Sequence, residues 1–343
     1  MSIKLSICIP TYNRGAFIGE TLESIVSQAT NDEVEIVVSD NASVDNTEEI
    51  VRKFQQRYSR VIYYKWNKNM GADRNFLKVI ELANGEYCWL MGSDDIIEQG
   101  GIKTVIRYLK YNFDLCGISV NHFAYDIKLS QRLLPHPVIQ SFLTKDKLYL
   151  DGKEAFADLA VYFGYMSAHI LHRNTWLYVT KNYNLEPFFN SYIHVYIMGK
   201  MLQIKPRWLY IHKRCVGWRS GNDSFLQMHG SLKRLELDVH GYIDAAEDIL
   251  GESLYKKKIV NKVVSTPIFN HIITAKFNDL SLDFYIKAFF ICIKKFYNIP
   301  IFWVKVLPIF FIPSPLLKLS RYLYRKTLKK IKIYKSIKAE ITN

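Results

Sequence analysis

Two adjacent carboxylates, Asp94 and Asp95, follow directly on the apolar run YCWLM and a Gly92-Ser93 turn. Like charges side by side repel, and a hard divalent cation lying between them and a phosphate removes that cost. Magnesium or manganese held there neutralises a leaving diphosphate, the main electrostatic task in cleaving a sugar–phosphate bond. Taken alone, an Asp-Asp pair at a helix start is more often a cap. Three earlier segments are equally polar: PTYNRG from Pro10, SDNASVDNT from Ser39 and NKNMGADRN from Asn67. In the first, Pro10 stiffens the exit of a strand, while Thr11 and Tyr12 offer a hydroxyl and a ring face to a flat base. The segment lacks the G-x-G-x-x-G turn that brings backbone amides onto a dinucleotide pyrophosphate, which disfavours a nicotinamide or flavin enzyme. In the second, Asp40 can accept the imide or amine hydrogen of a pyrimidine, whereas Asp45 reads as mainly structural. In the third, Gly71 permits a tight turn, and Arg74 either faces a diphosphate or is a solvated charge before a helix.

These segments need a scaffold that brings them to one edge. Residues 4–10 and 33–39 are β-branched runs, with apolar positions at helical spacing between them in RGAFIGETLESIVSQA. The alternation continues with a helix in NTEEIVRKFQQRY, capped by Asn46 or Thr47, a strand in RVIYYKWN, a helix in FLKVIELANG ending at Gly85, and a strand in EYCWLMG. Such an order predicts an α/β fold, a mostly parallel sheet with helices on both faces, whose ligands sit beyond the carboxyl ends of the strands. All four polar segments fall at those ends.

Taken in order, CIPTYNR, VVSDNASVDNT, NMGADRN and GSDD resemble the family 2 glycosyltransferases of the GT-A fold, well over residues 4–100 and loosely over 101–225. The combination of DNAS, GADRNF, YCWLMGSDD, SYIHVYIM and GNDSF resembles a narrower group, the abequosyltransferase-like enzymes of O-antigen assembly. The resemblance implies a Rossmann-like GT-A domain and a metal-dependent hexosyl-transferring enzyme. Its donor would be a nucleotide-diphosphate sugar, of the CDP-abequose kind in the narrower group, and its acceptor a glycan on a polyprenyl diphosphate. It also implies that Thr11, Tyr12, Asp40 and Arg74 contact the nucleotide and that Asp94 and Asp95 serve ribose and metal. Many members carry an acid where this chain has Gly92, so Asp95 is expected as the principal metal ligand and Asp94 as the second, for Mg2+ or Mn2+. The full nucleotide-sugar set expected is Pro10, Thr11, Tyr12, Arg14, Asp40, Asn41, Arg74, Asp94 and Arg219.

The general base is harder to place. The family's usual acidic pair is missing from the stretch around His194, which is either the base or a hydrogen-bonded core histidine. Asp223 is a second candidate base, or the cap of the helix that follows, and Arg219 in the same polar loop is expected to close over the donor diphosphate. The departures at Gly92 and His194 leave a catalytically inactive nucleotide-sugar-binding protein as the alternative.

The 343-residue chain carries a net charge of +14, but its distribution opposes a nucleic-acid partner. Residues 256–343 hold 18 Lys and Arg against 3 acids, leaving 28 basic and 29 acidic residues before them. Residues 1–225 are expected to form the catalytic domain and 226–343 a helical, basic, membrane-associating region. The run from Phe296 to Leu317 is long enough to span a bilayer but is broken by Pro300, Lys305, Pro308, Pro313 and Pro315. The following LKLSRYLYRKTLKKIKIYKSIK suits an anionic membrane surface, with a helical bundle or a homo-oligomer interface as the other reading. Five scattered cysteines and an N-terminus without secretory features predict a cytoplasmic protein, peripheral on the inner face of the membrane.

Overall fold

A computed structural model describes residues 3–29, 33–111, 114–133, 143–324 and 326. The predicted alternation is realised as β1 (Leu5–Thr11), α1 (Ile18–Val26), β2 (Val34–Asp40), α2 (Thr47–Arg57), β3 (Val61–Lys65), α3 (Ala72–Glu81) and β4 (Tyr87–Leu90). The chain continues through β5 (Ile96–Ile97), α4 (Gly101–Lys110), β6 (Gly117–Tyr125), β7 (Lys147–Tyr149), α5 (Gly152–Phe163), β8 (His169–His172), α6 (Arg173–Asn182), α7 (Ile193–Ile204), β9 (Trp208–Arg219) and α8 (Ser224–Leu250). One helix differs from its sequence pattern. α3 begins at Ala72 rather than Phe76 and stops at Glu81, short of Gly85. Gly71, at φ 85°, lets the chain turn straight into the helix, and Gly85 is required by close packing, since a Cβ there would overlap Ser6.

The sheet runs β3-β2-β1-β4-β8-β6-β9-β5, with β7 also paired to β9. β3, β2, β1 and β4 are mutually parallel, and every residue of β1, β2 and β4 is buried. That burial is why these strands read as continuous apolar runs. Leu5, Ile7 and Ile9 of β1 pack with Ile18, Leu22 and Ile25 of α1, Val51 and Phe54 of α2, and Ile102 and Val105 of α4. Beyond β4 the sheet is mixed. β8 runs antiparallel to β4 with Trp89 opposite Ile170, and β9 runs antiparallel to β5 with Ile96 opposite Gly217. The reversals matter for the site: the residues that precede β8 and those that end β9 both arrive at the carboxyl end of β4.

The chain divides into two compact units, Met1–Gln227 with His240–Val260, and Met228–Val239 with Asn261–Asn343. α8 is interrupted at Gly230, whose φ of 78° is not helical. After α9 (Leu254–Val263), the second unit contains α10 (Phe269–Phe277), α11 (Leu282–Phe296) and α12 (Leu307–Phe311). Within it Asp238, buried, accepts from Arg234 and from His271, each at 2.6 Å, which ties residues 228–239 to α10. No single helix among the described residues is long and apolar enough to cross a membrane; 302–311 and 314–324 meet at a bend of 109°. Most of the basic tail read from the sequence, residues 327–343, lies outside the described residues.

Candidate active site

The strand order places the first two polar loops side by side. Thr11 and Asp40 end neighbouring parallel strands in register with each other. Asp40 is fully buried, and its carboxylate closes the loop that follows: Oδ1 accepts from the Ser43 amide at 2.8 Å and Oδ2 from the Tyr63 hydroxyl at 2.7 Å. Ser43 Oγ then accepts from the Asn13 amide at 2.8 Å, and Asn13 Oδ1 from the Val44 amide at 2.9 Å. Asp45 accepts from the Gly15 amide and from the amide and hydroxyl of Thr47, so Asp45, rather than Asn46 or Thr47, supplies the side-chain cap of α2. Thr11 Oγ1 is buried with no hydrogen-bond partner among the described residues. A buried unsatisfied hydroxyl at a strand end costs about 1–3 kcal/mol unless a ligand completes it.

The third loop is anchored to the second. Asn41 accepts from the Met70 amide at 2.7 Å and donates to Asn69 Oδ1 at 2.8 Å. Asn75, buried, accepts from Ser39 Oγ and Trp66 Nε1 and donates to the carbonyls of Ser39 and Thr11, joining the ends of β1, β2 and β3. Asp73 accepts from the amides of Ser191 and Ile193 and thereby fixes the start of α7. Arg74 stands exposed, its guanidinium 5.3 Å from the centre of the Phe189 ring.

The fourth loop carries the carboxylate pair. Asp95 is buried, with Oδ1 accepting from the Arg219 amide at 2.9 Å and Oδ2 from Ser167 Oγ at 2.6 Å and the Tyr165 hydroxyl at 2.9 Å. Burial first, and the charge of Asp94 next, push the Asp95 carboxyl up to about 7. Asp94 is half-buried. Its Oδ2 accepts from Asn222 Nδ2 at 2.7 Å, while Oδ1 receives no bond from another described residue. Burial raises the Asp94 carboxyl as well, against the opposing pull of Arg14, Asn222 and Arg219. Gly92 has a local reason: a Cβ there would stand 3.1 Å from both Asp94 Oδ1 and Ser167 Oγ, and 3.3 Å from Asp95 Oδ2. Ser167 lies against Gly92, accepting from the Gly92 amide at 2.9 Å while donating to Asp95.

A continuous path joins the loops. Arg14 donates to Asn222 Oδ1 at 3.2 Å, and Asn222 donates in turn to Asp94. From Arg14 the path runs through Asn13 and Ser43 to Asp40. The loops after β1, β2 and β4 therefore form one polar cluster, tied also to the loop after β9. Pro10 and Tyr12 belong to the first loop, Pro10 buried in β1 and Tyr12 half-buried. Arg219 does not reach out from the cluster. Its guanidinium donates to the carbonyls of Asp94 (2.7 Å) and Ile127 (2.6 Å) and to Glu20 (2.5 Å), over the Phe17 ring.

Of the two candidate bases, His194 lies among aromatic rings and Asp223 adjoins Asn222 of the cluster. His194, 2% exposed at the second position of α7, meets Phe76 and Tyr192 edge-on, and burial pushes its imidazole down to about 4, so it is neutral at pH 7. Asp223 caps α8, accepting from the Leu226 amide at 2.9 Å. Sequence reasoning missed Tyr165, Ser167 and Glu20, and named Asn222 only within the GNDSF segment and its polar loop, without a role of its own. The first three lie in no pattern that signals chemistry, and all four reach the cluster through contacts distant in sequence.

The residues fit a divalent ion that arrives with a diphosphate better than a resident one. Among the described residues no group of three His, Cys, Asp or Glu side chains could hold a metal, yet Asp94 turns an uncommitted carboxylate oxygen beside a second buried acid. An open doubly wound sheet with such a cluster at its strand ends is the GT-A arrangement of a nucleotide-sugar enzyme. The profile described as Glycosyl transferase family 2 matches residues 6–171. The chain is 33% identical over 274 residues to the abequosyltransferase RfbV of Salmonella typhimurium, covering 76% of this chain and 79% of that one. With this likeness spanning both chains, the protein belongs to the family 2 glycosyltransferases, in their abequosyltransferase-like part. Two solved structures share the fold at low identity. TarS 1–349 of S. aureus in complex with UDP superposes with a TM-score of 0.60 at 16% identity, over 82% of this chain and 76% of its own. The mannosyltransferase PcManGT of Pyrobaculum calidifontis, in complex with GDP-Man and Mn2+, gives 0.54 at 13%, over 95% and 88%.

Proposed function

We propose that this glycosyltransferase moves a sugar from a nucleotide-diphosphate donor to a hydroxyl of a polyprenyl-diphosphate-linked glycan in surface polysaccharide assembly, of the O-antigen kind. The observation that carries the reading is the joining of Asp94 through Asn222, Arg14, Asn13 and Ser43 to Asp40, with the orphaned Thr11 hydroxyl one strand away. The likeness to an abequosyltransferase supports a CDP-dideoxyhexose such as CDP-abequose as the donor. Catalysis is assigned to residues 1–225 and membrane attachment to 226–343.

Within the site, Thr11 and Tyr12 face the base and ribose, and Asp40 and Asn41 hold the loops in their binding shape. Asp94, rather than Asp95 as the resemblance implied, is assigned the principal ligand oxygen for a divalent ion, because both oxygens of Asp95 already accept from fixed protein donors. Asp95 in turn keeps the turn rigid. Mg2+ or Mn2+, when bound with the donor, supplies charge neutralisation for the departing diphosphate. Arg14 adds a positive charge beside Asp94.

Calorimetric titration with a panel of nucleotide sugars, with and without Mn2+ between pH 6 and 8, tests this. Because the folded-state value of Asp95 lies above that of a free carboxyl, the pair retains a proton below about 7, and the cation has to displace it. One donor class is expected to bind with Mn2+, its affinity rising up to about tenfold per pH unit below 7 and levelling off above. No saturable binding of any nucleotide sugar would sink the proposal. Binding without turnover would favour the inactive binding protein suggested by Gly92.

Attachment to the inner membrane face rests on α11, α12 and residues 302–324. Ile286, Phe290, Val304, Phe311 and Leu319 are exposed there, with Lys287, Lys294, Lys318 and Arg321 among them. Flotation with vesicles containing phosphatidylglycerol is expected to recover the protein at about 0.03 M salt and to lose most of it at about 0.5 M, where the Debye screening distance is roughly fourfold shorter. Equal recovery with purely zwitterionic vesicles would rule out the electrostatic part.

A further inference from the structure

The first turn of α3 spends its polar side chains in different directions. Asn75 donates to the carbonyls of Ser39 and Thr11, which fixes the turn to the ends of β1 and β2. Asp73, 9% exposed, accepts instead from the Ser191 amide at 2.8 Å and the Ile193 amide at 3.3 Å, 118 and 120 positions further along the chain. Ser191 has φ 74°, in the left-handed region that a residue with a Cβ rarely enters and keeps only where its surroundings impose it. A left-handed residue in a turn lets nearby backbone amides converge on one anion, and here the anion is the Asp73 carboxylate.

The same segment is pinned a few residues earlier. Phe188 stacks on Tyr196 of α7 with ring centres 3.6 Å apart and planes at 10°. Phe189 lies between the two pins, and its ring carries the Arg74 guanidinium at 5.3 Å. Arg74 is exposed and donates no hydrogen bond to another described residue. In the neighbouring loops Arg14 donates to Asn222, and Arg219 donates to the Asp94 and Ile127 carbonyls. The Arg74 guanidinium keeps its donors for solvent or a ligand.

Resting on the donor reading, in which Arg74 meets the nucleotide, we propose that Asp73 is a positioning residue for donor binding. By holding Ser191 in its left-handed turn it sets Phe189 against Arg74, and the ring holds the guanidinium beside the loops that carry Thr11 and Asp40. The ligand class is a nucleoside diphosphate, whose oxygens a guanidinium engages by paired hydrogen bonds. A guanidinium already held against a ring loses less freedom when it binds.

Calorimetric titration of the full chain with CDP, UDP and GDP in the presence of Mn2+ tests this, with the thermal midpoint recorded for every variant. For the nucleoside diphosphate that the wild type binds best, Arg74→Met is expected to weaken affinity by about tenfold and Asp73→Asn by about three- to tenfold. Asp73→Asn combined with Arg74→Met is expected to bind no more weakly than Arg74→Met alone, because both changes act through one contact. A merely structural role for Asp73 would lower affinity again in the Arg74→Met background. Should Asp73→Asn fail to fold, Phe189→Leu leaves the carboxylate and its amides in place and carries the same test, with about a threefold loss alone and none added to Arg74→Met. Additive losses in either pair, or wild-type affinity in Arg74→Met, overturn the positioning role and leave the donor reading standing. If the wild-type protein binds none of the three nucleoside diphosphates, the donor reading itself falls and the role of Asp73 falls with it.

Discussion

Asp94→Asn is expected to lower turnover by about 10²–10³-fold with little change in thermal midpoint, the scale seen when one preorganised electrostatic contact to a transition state is removed. The exchange keeps volume, and an amide oxygen at this position still accepts from Asn222 Nδ2, so the link to Arg14 survives. What disappears is the negative charge on the oxygen that no other described residue engages. Asp95→Asn behaves differently, because Asp95 accepts from three donors, the Arg219 amide and the hydroxyls of Ser167 and Tyr165. An amide NH2 must then face at least one donor, leaving a buried group unsatisfied at about 1–3 kcal/mol. The pair is separated by measuring both quantities in both variants: Asp94→Asn moves kcat, and Asp95→Asn moves the thermal midpoint first. If Asp94→Asn keeps wild-type turnover, the principal ligand is not Asp94.

Arg219→Ala is expected to destabilise the first unit by about 3 kcal/mol, read as a fall of roughly 6–12 °C in the calorimetric midpoint. The side chain is nearly sealed from solvent and serves two backbone carbonyls and one carboxylate. Its ion pair with Glu20 contributes the lesser part, since Glu20 is 54% exposed and solvent screens it. The larger part is the pair of carbonyls, Asp94 and Ile127, left without a donor. Donor affinity should fall alongside stability, because the bond to the Asp94 carbonyl holds the carboxylate turn against the end of β9. Arg219→Lys should recover only part of either, as one ammonium cannot reach three acceptors in the fixed geometry of a guanidinium. A midpoint within 2 °C of wild type in Arg219→Ala would contradict this account, about the shift expected for 1 kcal/mol or less.

The contrast between Arg219 as read from the sequence and as found shows where sequence reasoning stops. A basic residue in a Gly-containing loop suits a diphosphate, and nothing local reveals that Glu20, 199 positions away, and the Ile127 carbonyl claim its guanidinium. His194 was legible either way, as a base by its place in the family pattern or as a core histidine by its apolar neighbours, and it is buried with Phe76 and Tyr192 edge-on to its ring. Asp223 could be read either way, and the helix cap is what the structure displays. Asp45 was legible as structural because the Asp-Asn-Thr order before an amphipathic helix carries its own capping signal.

By itself the sequence determined the parallel half of the fold and the location of its polar loops. Strands buried on both faces announce themselves as short apolar runs and amphipathic helices by a period of 3.6 residues, and the loops at strand ends follow from their order. The tertiary structure decided which side chains in those loops are spent on holding one another. Ser167 and Tyr165 reach Asp95 because β8 runs antiparallel to β4, and the end of β9 reaches the same turn by pairing with β5. Hydrogen-bond partners separated by 70 residues or more are set by strand pairing rather than by any local pattern, so the division between binding and bracing groups appears only once the sheet is assembled.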